Sequence, residues 1–272
     1  MVHPSCPAPI VLTYNTAVTV SIAIVSGKGG VGKTTTAINL GAALAETGQR
    51  VLAVDCDPQS NLTSGLGVNP YEMARTLSDA MIGNATVTDV IMPTEWQNLS
   101  LLAASPELVG VETELETSLE REVALRNAMN VNGTAEAFDF ILYDTPPSFG
   151  FHTISALAAA DYVLIPLQMS GFAIRGFKEV LRAVHLVRSG LNENLQILGI
   201  VPTWVNLRTK FSRQLLDGLC ELASIRVFDT VIAPTVKLQE TSLVGIPVTS
   251  YAPSSKAADA YRRLAQEVLA SV

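Results

Sequence analysis

A glycine-rich segment near the start of the chain carries the residue types that bind phosphate. Residues 27–34 read Gly-Lys-Gly-Gly-Val-Gly-Lys-Thr. Glycines at these positions let the backbone curl so that successive N–H groups point inward at phosphate oxygens. The pattern places Lys33 to neutralise the β and γ phosphates of a nucleotide, Thr34 to offer its hydroxyl to Mg²⁺, and Thr35 near the α phosphate. It therefore predicts ATP or ADP and Mg²⁺ as cofactors, with these cofactor-binding residues: Gly27, Lys28, Gly29, Gly30, Val31, Gly32, Lys33, Thr34 and Thr35.

Carboxylates follow two apolar runs that are typical of buried strands. Asp144 ends the run over residues 138–143, and an acid at the tip of such a strand lies in the crevice where parallel sheets bind ligands. We expect Asp144 to hold Mg²⁺, directly or through water. Asp55 and Asp57 follow a second run over residues 50–54, and positions two apart in an extended chain face the same side. One of these two aspartates can orient the attacking water while the other assists the hydrated metal ion.

The elements that must position these groups follow from the hydrophobic pattern. A β-branched strand is predicted over residues 18–26, and a helical pattern follows over residues 33–45. Further helices are predicted at residues 115–129, 177–187 and 255–269. Apolar runs recur at residues 51–54, 99–103, 138–143, 162–167, 197–201 and 227–232. Buried runs that alternate with helices predict an α/β fold, a doubly wound, mostly parallel sheet with helices on both faces.

Length and charge set limits on what the chain can bind. Its 272 residues fit one large domain, which we place at residues 18–272 after a loose arm over residues 1–17. The net charge is −7, but residues 1–140 carry −9 and residues 141–272 carry +2. A polyanion would therefore have to bind to the second half of the chain. Three scattered cysteines and the lack of a long apolar run favour a soluble, cytoplasmic protein.

A second lysine within the glycine-rich loop makes the pattern more specific. Residues 28–35, KGGVGKTT, are similar to the deviant Walker A motif of the ParA/MinD superfamily of P-loop ATPases. Residues 55–63, DCDPQSNLT, resemble the family motif DxDPQxNxT, and residues 144–148, DTPPS, resemble its DxPPS. The similarity runs from about residue 18 to the end of the chain. It is typical of the small partition ATPases that lack a preceding helix-turn-helix domain.

This resemblance implies a role for each matching residue. Lys28 would cross a dimer interface to the partner's nucleotide, and Asp57 would activate the attacking water, so that Lys28, Lys33 and Asp57 are the catalytic residues. Thr34, Asp55 and Asp144 would then hold the metal. The family relationship also implies a homodimer that forms on ATP and binds nucleoid DNA without sequence preference. A ParB-like adaptor would stimulate slow ATP hydrolysis, and the cycle would segregate chromosome or plasmid DNA.

The candidate DNA contacts are basic residues of the second half. In partition ATPases the loop equivalent to residues 206–213 carries a basic residue for phosphate contacts. The resemblance therefore selects Arg208, Lys210 and Arg213, and we add Lys237 and Arg262. Residues 233–235, Ala-Pro-Thr, stand where the family usually has Pro-Arg-Asn, and we assign Pro234 of this loop to nucleotide binding.

Several alternatives share the ATPase and differ in cargo or class. The cargo could be a carboxysome-like body or a chemotaxis cluster instead of DNA. Ser26-Gly27 precedes Lys28 as in MinD-like members, which position cell division, but the basic and bulky apolar membrane helix of MinD has no counterpart here. We therefore expect no membrane attachment. A metal-cluster carrier would need a CxxC motif and a tyrosine kinase module would need a tyrosine-rich tail, and neither is present.

Overall fold

The computed structural model describes residues 19–169, 173–205 and 225–272. The predicted arm over residues 1–17 lies outside the described residues, as do the DNA candidates Arg208, Lys210 and Arg213.

The described strands form a single seven-stranded sheet in the order β3-β4-β2-β5-β1-β6-β7. All neighbouring pairs are parallel except β3 and β4. The prediction of a mostly parallel sheet is therefore confirmed. The bounds of the strands are β1 Val20–Ile24, β2 Val51–Asp55, β3 Ile91–Pro93, β4 Leu99–Leu102, β5 Phe140–Asp144, β6 Tyr162–Gln168 and β7 Gln196–Thr203.

Helices cover both faces of this sheet. Alternate residues of β1 face opposite sides, so that Ile22 belongs to one hydrophobic cluster and Ala23 to the other. The bounds of the α-helices are α1 Lys33–Glu46, α2 Asn61–Gly65, α3 Leu77–Met81, α4 Val87–Val90, α5 Leu108–Glu114, α6 Ala124–Asn130, α7 Phe151–Ala159, α8 Ala173–Gly190, α9 Val236–Val244, α10 Val248–Tyr251 and α11 Lys256–Leu269. Helices α1 and α11 pack together on the Ile22 side, whereas α7 and α8 pack on the Ala23 side. The doubly wound architecture is therefore confirmed.

Two predicted elements are wrong. The predicted helix over residues 115–129 is replaced by a turn, a short 3₁₀ segment at Arg121–Val123 and α6. Leu119 is fully exposed there, and the Ser118 hydroxyl accepts a hydrogen bond from the Glu120 amide, which favours a local turn over a helix. The predicted strand over residues 227–232 forms only two isolated bridges to β7, because the amides of its middle residues donate to the Glu267 carboxylate.

The edge of the sheet was not predicted. Strand β3 has only three residues and ends at Pro93, so neither its length nor its composition indicates a strand.

The structure also bears on membrane insertion. None of the helices in the described ranges combines the length and the apolar character needed to cross a membrane.

Candidate nucleotide and metal site

The glycine-rich loop joins the end of β1 to the first residue of α1, Lys33. Gly30 and Gly32 have φ values of 75° and 96°, in the left-handed region that favours glycine. Gly27 is needed for space, since a Cβ there would lie 2.6 Å from the Phe149 ring and 2.9 Å from a Glu179 carboxylate oxygen. The loop therefore has the curled backbone and the helix N-terminus that bind phosphate groups.

Lys33 is buried beside two carboxylates. Only 7% of its surface is exposed. Burial lowers the pKa of its ammonium group, whereas the nearby Asp144 and Asp57 raise it. The structure thus brings together the loop lysine and two of the three predicted acids. A buried cation in this position is ready to neutralise an anionic ligand at the loop.

Asp144 is the last residue of β5, and it is fully buried. Neither of its carboxylate oxygens has a hydrogen-bond partner within the described parts of the chain. Burial raises its pKa well above the ordinary value, the charge of Asp55 adds to this, and Lys33 opposes it. A buried carboxylate whose oxygens accept no hydrogen bond is costly, and Lys33 offsets only part of that cost, so these oxygens suit an additional cation.

The donor set around Asp144 fits Mg²⁺. Asp55 is its register partner on β2, and Thr34 lies close enough to influence the pKa of Asp144. Within the described ranges, no three His, Cys, Asp or Glu side chains form a cluster that could hold a metal on their own. Mg²⁺ is usually held by one or two carboxylates together with waters and substrate phosphates, so a small oxygen set beside a phosphate loop suits it.

Asp55 differs from Asp144 because it is held by three donors. The amide and hydroxyl of Thr63 donate to its Oδ2 atom at 2.8 and 2.7 Å, and the Asp57 amide donates to Oδ1 at 3.1 Å. Burial raises the pKa of Asp55 to about 6, and the hydrogen bonds from Thr63 act against this rise. The Thr63 hydroxyl also accepts from the Ala104 amide at 3.0 Å, which ties Asp55 to the segment after β4.

Thr63 supports Asp55 through these hydrogen bonds, and the sequence analysis did not assign it to the site. It lies within the quoted motif of residues 55–63, and its position in that motif was the available signal.

Asp57 is also buried, with 6% exposed, and its Oδ1 accepts from the Gln59 amide at 2.9 Å. The two aspartates therefore lie together at the end of β2, as the sequence predicts.

The two lysines of the loop have opposite environments. Lys28 is exposed, and its Nζ donates to Oε1 of Gln168, the last residue of β6, at 2.8 Å. Lys33 faces the buried acids from within the chain. The cross-interface role of Lys28 stays a prediction, but its exposed position leaves the ammonium group accessible.

An apolar cavity of about 200 Å³ opens beside the loop. Gly30, Val31, Gly32 and Thr35 form its loop side. The facing wall is predominantly apolar and comes from residues much later in the chain: Trp204, Ile232, Ala233, Pro234, Leu238 and Tyr261. A concave apolar wall next to a phosphate site suits a flat nucleotide base. Pro234 lies at this cavity, and its assignment to nucleotide binding stays a prediction.

Trp204 was missed, and no motif of the sequence marks it. It follows β7 with a φ value of 56°, which is uncommon for a residue with a Cβ, and 38% of its surface is exposed. The backbone conformation at this position therefore helps to bring the indole to the cavity wall.

The two DNA candidates within the described residues are engaged in contacts inside the chain. Lys237 donates to Glu240 at 2.8 Å. Arg262 forms an ion pair with Glu46 at 2.7 Å, and it also donates to the carbonyl groups of Pro253 and Thr249. Their contacts with DNA stay predictions.

A phosphate loop between a parallel strand and a helix, with a buried acid at the end of the neighbouring strand, is the pattern of a P-loop nucleoside triphosphatase. The family described as AAA domain matches residues 19–197. The chain is 41% identical over 250 residues to the sporulation initiation inhibitor protein Soj of Bacillus subtilis, covering 92% of this chain and 98% of that protein. It is 40% identical over 248 residues to the chromosome partitioning protein ParA of Caulobacter vibrioides, covering 91% and 93%.

A solved structure is similar over most of its length. Cobyrinic acid a,c-diamide synthase from Mycobacterium smegmatis, with bound ATP analogue and magnesium, has a TM-score of 0.83 and 35% identity, covering 93% of this chain and 94% of that one. The chain belongs to the ParA/Soj family of partition ATPases. The family resemblance of the sequence is therefore confirmed.

Proposed function

We propose that this chain is an ATP- and Mg²⁺-dependent switch that dimerises on ATP, binds DNA without sequence preference and segregates chromosome or plasmid DNA. The observation that supports it best is the pair of loop lysines, one buried beside the metal acids and one exposed. The similarity to Soj and to ParA supports the assignment to DNA partition.

Within one chain, the proposed mechanism uses the groups at the carboxyl ends of β2 and β5. The loop amides and Lys33 bind the β and γ phosphates, and Thr34, Asp55 and Asp144 hold Mg²⁺. When bound by these residues, Mg²⁺ would neutralise the charge that develops on the phosphate oxygens. Asp57 orients a water and takes its proton as the water oxygen bonds to the γ phosphorus. The bond from that phosphorus to the β–γ bridging oxygen then breaks, which releases ADP and phosphate.

The dimer is proposed to form through Lys28. Its ammonium group hydrogen-bonds a neutral side chain, Gln168, and this contact can be exchanged for the phosphates of a second copy without leaving a buried charge unpaired. If the active site requires contacts from a second copy and from a ParB-like adaptor, the protein would hydrolyse ATP slowly in their absence.

DNA binding requires a local basic surface because the whole chain carries a charge of −7. Each neutralised phosphate contributes about 0.9 to the slope of log affinity against log salt on duplex DNA. A two-fold dimer doubles the number of contacts, so it strengthens binding and doubles that slope. The chain is therefore proposed to sit on nucleoid DNA as the ATP dimer and to leave as the ADP monomer.

The test is fluorescence anisotropy with two fluorescent duplexes of unrelated sequence, each titrated with protein in ATP and in ADP. The proposal predicts salt-sensitive binding of both duplexes in ATP and feeble binding in ADP. Equal binding in the two nucleotides, or a strong preference for one duplex, would refute the proposed switch.

A further inference from the structure

Most cations in the described part of the second half are bound to other groups of the chain. Such pairing makes them poor candidates for a polyanion, since a new contact must first break an existing one. The pairs are Arg188 with the Leu195 carbonyl, Arg226 with Ser271 and the Phe228 ring, Lys237 with Glu240, Arg262 with Glu46, and Arg263 with Asp259.

The exceptions are Lys256 of α11, which stands alone, and a group of three on helix α8. Arg175, Lys178 and Arg182 follow one another at spacings of three and four residues, so they lie on one face of the helix. We call these three residues the α8 face. All three side chains are exposed, and the row extends about 10 Å along the helix axis at 1.5 Å per residue.

The cations of the α8 face are largely free of carboxylates. Lys178 and Arg182 have no ion-pair partner within residues 19–169, 173–205 and 225–272. Arg175 lies 3.5 Å from Glu179, a longer contact than the 2.7 to 3.0 Å of the ion pairs of Lys237, Arg262 and Arg263, and its side chain is 80% exposed. Glu179 is the only acidic residue of α8, and its other carboxylate oxygen is directed toward Gly27 of the phosphate loop.

The opposite face of α8 is anchored in the core. Phe177, Val180, Ala183, Val184 and Val187 are all buried. The helix therefore holds the α8 face in a fixed position, which spares some of the entropy cost of ordering a flexible segment on binding. It also places the α8 face on the helix that follows β6 and lies against the loop.

We propose that the α8 face binds the phosphates of duplex DNA. This inference rests on the proposed function, and it names a surface that the sequence reasoning did not select. A row of fixed cations about 5 Å apart suits a backbone that carries one charge per 3.4 Å of each strand. A bilayer fits less well because the apolar residues of α8 are mostly buried in the core, and among its side chains that the structure describes the exposed large apolar ones are Ile174 and Leu186.

The test compares two double variants that remove the same charge. Lys178→Gln/Arg182→Gln removes two cations of the α8 face, whereas Arg75→Gln/Arg121→Gln removes two from the acidic first half. Anisotropy with an unrelated duplex in ATP should show binding that is weakened about tenfold or more by the first variant. Its salt slope should fall by about 0.9 for each lost phosphate contact. The second variant should stay within about twofold of the parent, because its charges lie outside the α8 face.

Further readouts separate the possible failures. Light scattering in ATP should show that both variants still dimerise, because neither changes the loop or the metal acids. A parent that binds DNA in ATP, with an α8 variant that binds equally well, would overturn the α8 proposal alone. A parent that binds no DNA in ATP would overturn the proposed function and the α8 proposal with it. Loss of binding to vesicles containing phosphatidylserine, with DNA binding unchanged, would assign the α8 face to membranes instead.

Discussion

The metal side and the base side of the candidate site are built in different ways. On the metal side, Asp55 and Asp144 are fully buried at the ends of adjacent strands, and Asp144 lies near the buried Lys33. On the base side, Trp204 and Pro234 bound an apolar cavity. Buried charges depend strongly on their few partners, whereas apolar contact is shared among many atoms. The difference indicates that substitutions on the metal side should have much larger effects than substitutions on the base side.

Lys33→Ala should have the largest effect on nucleotide binding. Removing one partner of a buried charge pair costs about 2 to 5 kcal/mol, so we expect ATP affinity to fall by about 30- to 5,000-fold. Isothermal titration calorimetry with ATP and Mg²⁺ measures this directly. Lys256→Ala, at an exposed lysine of α11, is the control and should bind like the parent. Unchanged affinity in the Lys33 variant would place the phosphates elsewhere.

Asp55→Asn should change the pH dependence of stability in the protein without metal and nucleotide. Burial raises the pKa of Asp55 from 3.8 to about 6. Its ionisation therefore weakens the fold, and the parent should lose about 2 kcal/mol of unfolding free energy between pH 4 and pH 7 through this group.

Urea unfolding at several pH values between pH 4 and pH 7 measures the effect. Asp55→Asn cannot ionise at this position, so it should match the parent near pH 4 and exceed it at pH 7. Parallel stability curves for the two proteins would show that Asp55 is not held at a raised pKa.

Thr63→Val tests whether the second contact shell of the metal side matters. The substitution removes the hydroxyl that donates to Asp55 and accepts from Ala104. Loss of such a supporting group typically costs about 10- to 100-fold in metal affinity, so the Mg²⁺ concentration for half-maximal ATP binding should rise at least tenfold. Thr63→Ser keeps the hydroxyl and should behave like the parent. Equal losses in both variants would indicate a packing role instead.

Trp204→Ala should have the smallest effect, and it should be confined to the base. Aromatic stacking contributes about 0.5 to 1.5 kcal/mol, so ATP affinity should fall by about 2- to 10-fold. Inorganic tripolyphosphate has no base, and its affinity should not change. If both ligands lose affinity equally, Trp204 supports the loop and does not contact the base.

The same two regions differ in how far the sequence predicts them. The loop and Asp144 could be predicted because each belongs to a short motif of contiguous residues next to a strand. The strands themselves could be predicted because buried strands of a parallel sheet have a clear apolar pattern. The support of Asp55 by Thr63 was not predicted, because it depends on a hydrogen bond from the Ala104 amide to Thr63, which links residues 41 positions apart. Local motifs therefore identify the charged residues of the site, whereas tertiary packing determines which residues hydrogen-bond to them.

The base cavity and the α8 face depend on tertiary packing throughout. Trp204 reaches the cavity from the end of β7, and nothing in its sequence neighbours marks it as a binding residue. The helix of the α8 face was predicted from its periodicity, but its cations stood out only when the ion pairs of Lys237 and Arg262 became visible. The sequence shows which residues are basic, and the fold shows which of them remain available.

The most direct test of the proposed switch is the mass of the protein in solution. Static light scattering should be measured on Asp57→Ala, which is expected to bind ATP without hydrolysing it. With ATP and Mg²⁺ its mass should be twice the 28.9 kDa of one chain, and with ADP it should be that of one chain. Adding Lys28→Ala should keep the protein monomeric in ATP. A dimer in both nucleotides, or a Lys28→Ala variant that still dimerises on ATP, would contradict a switch that works through the exposed lysine of the loop.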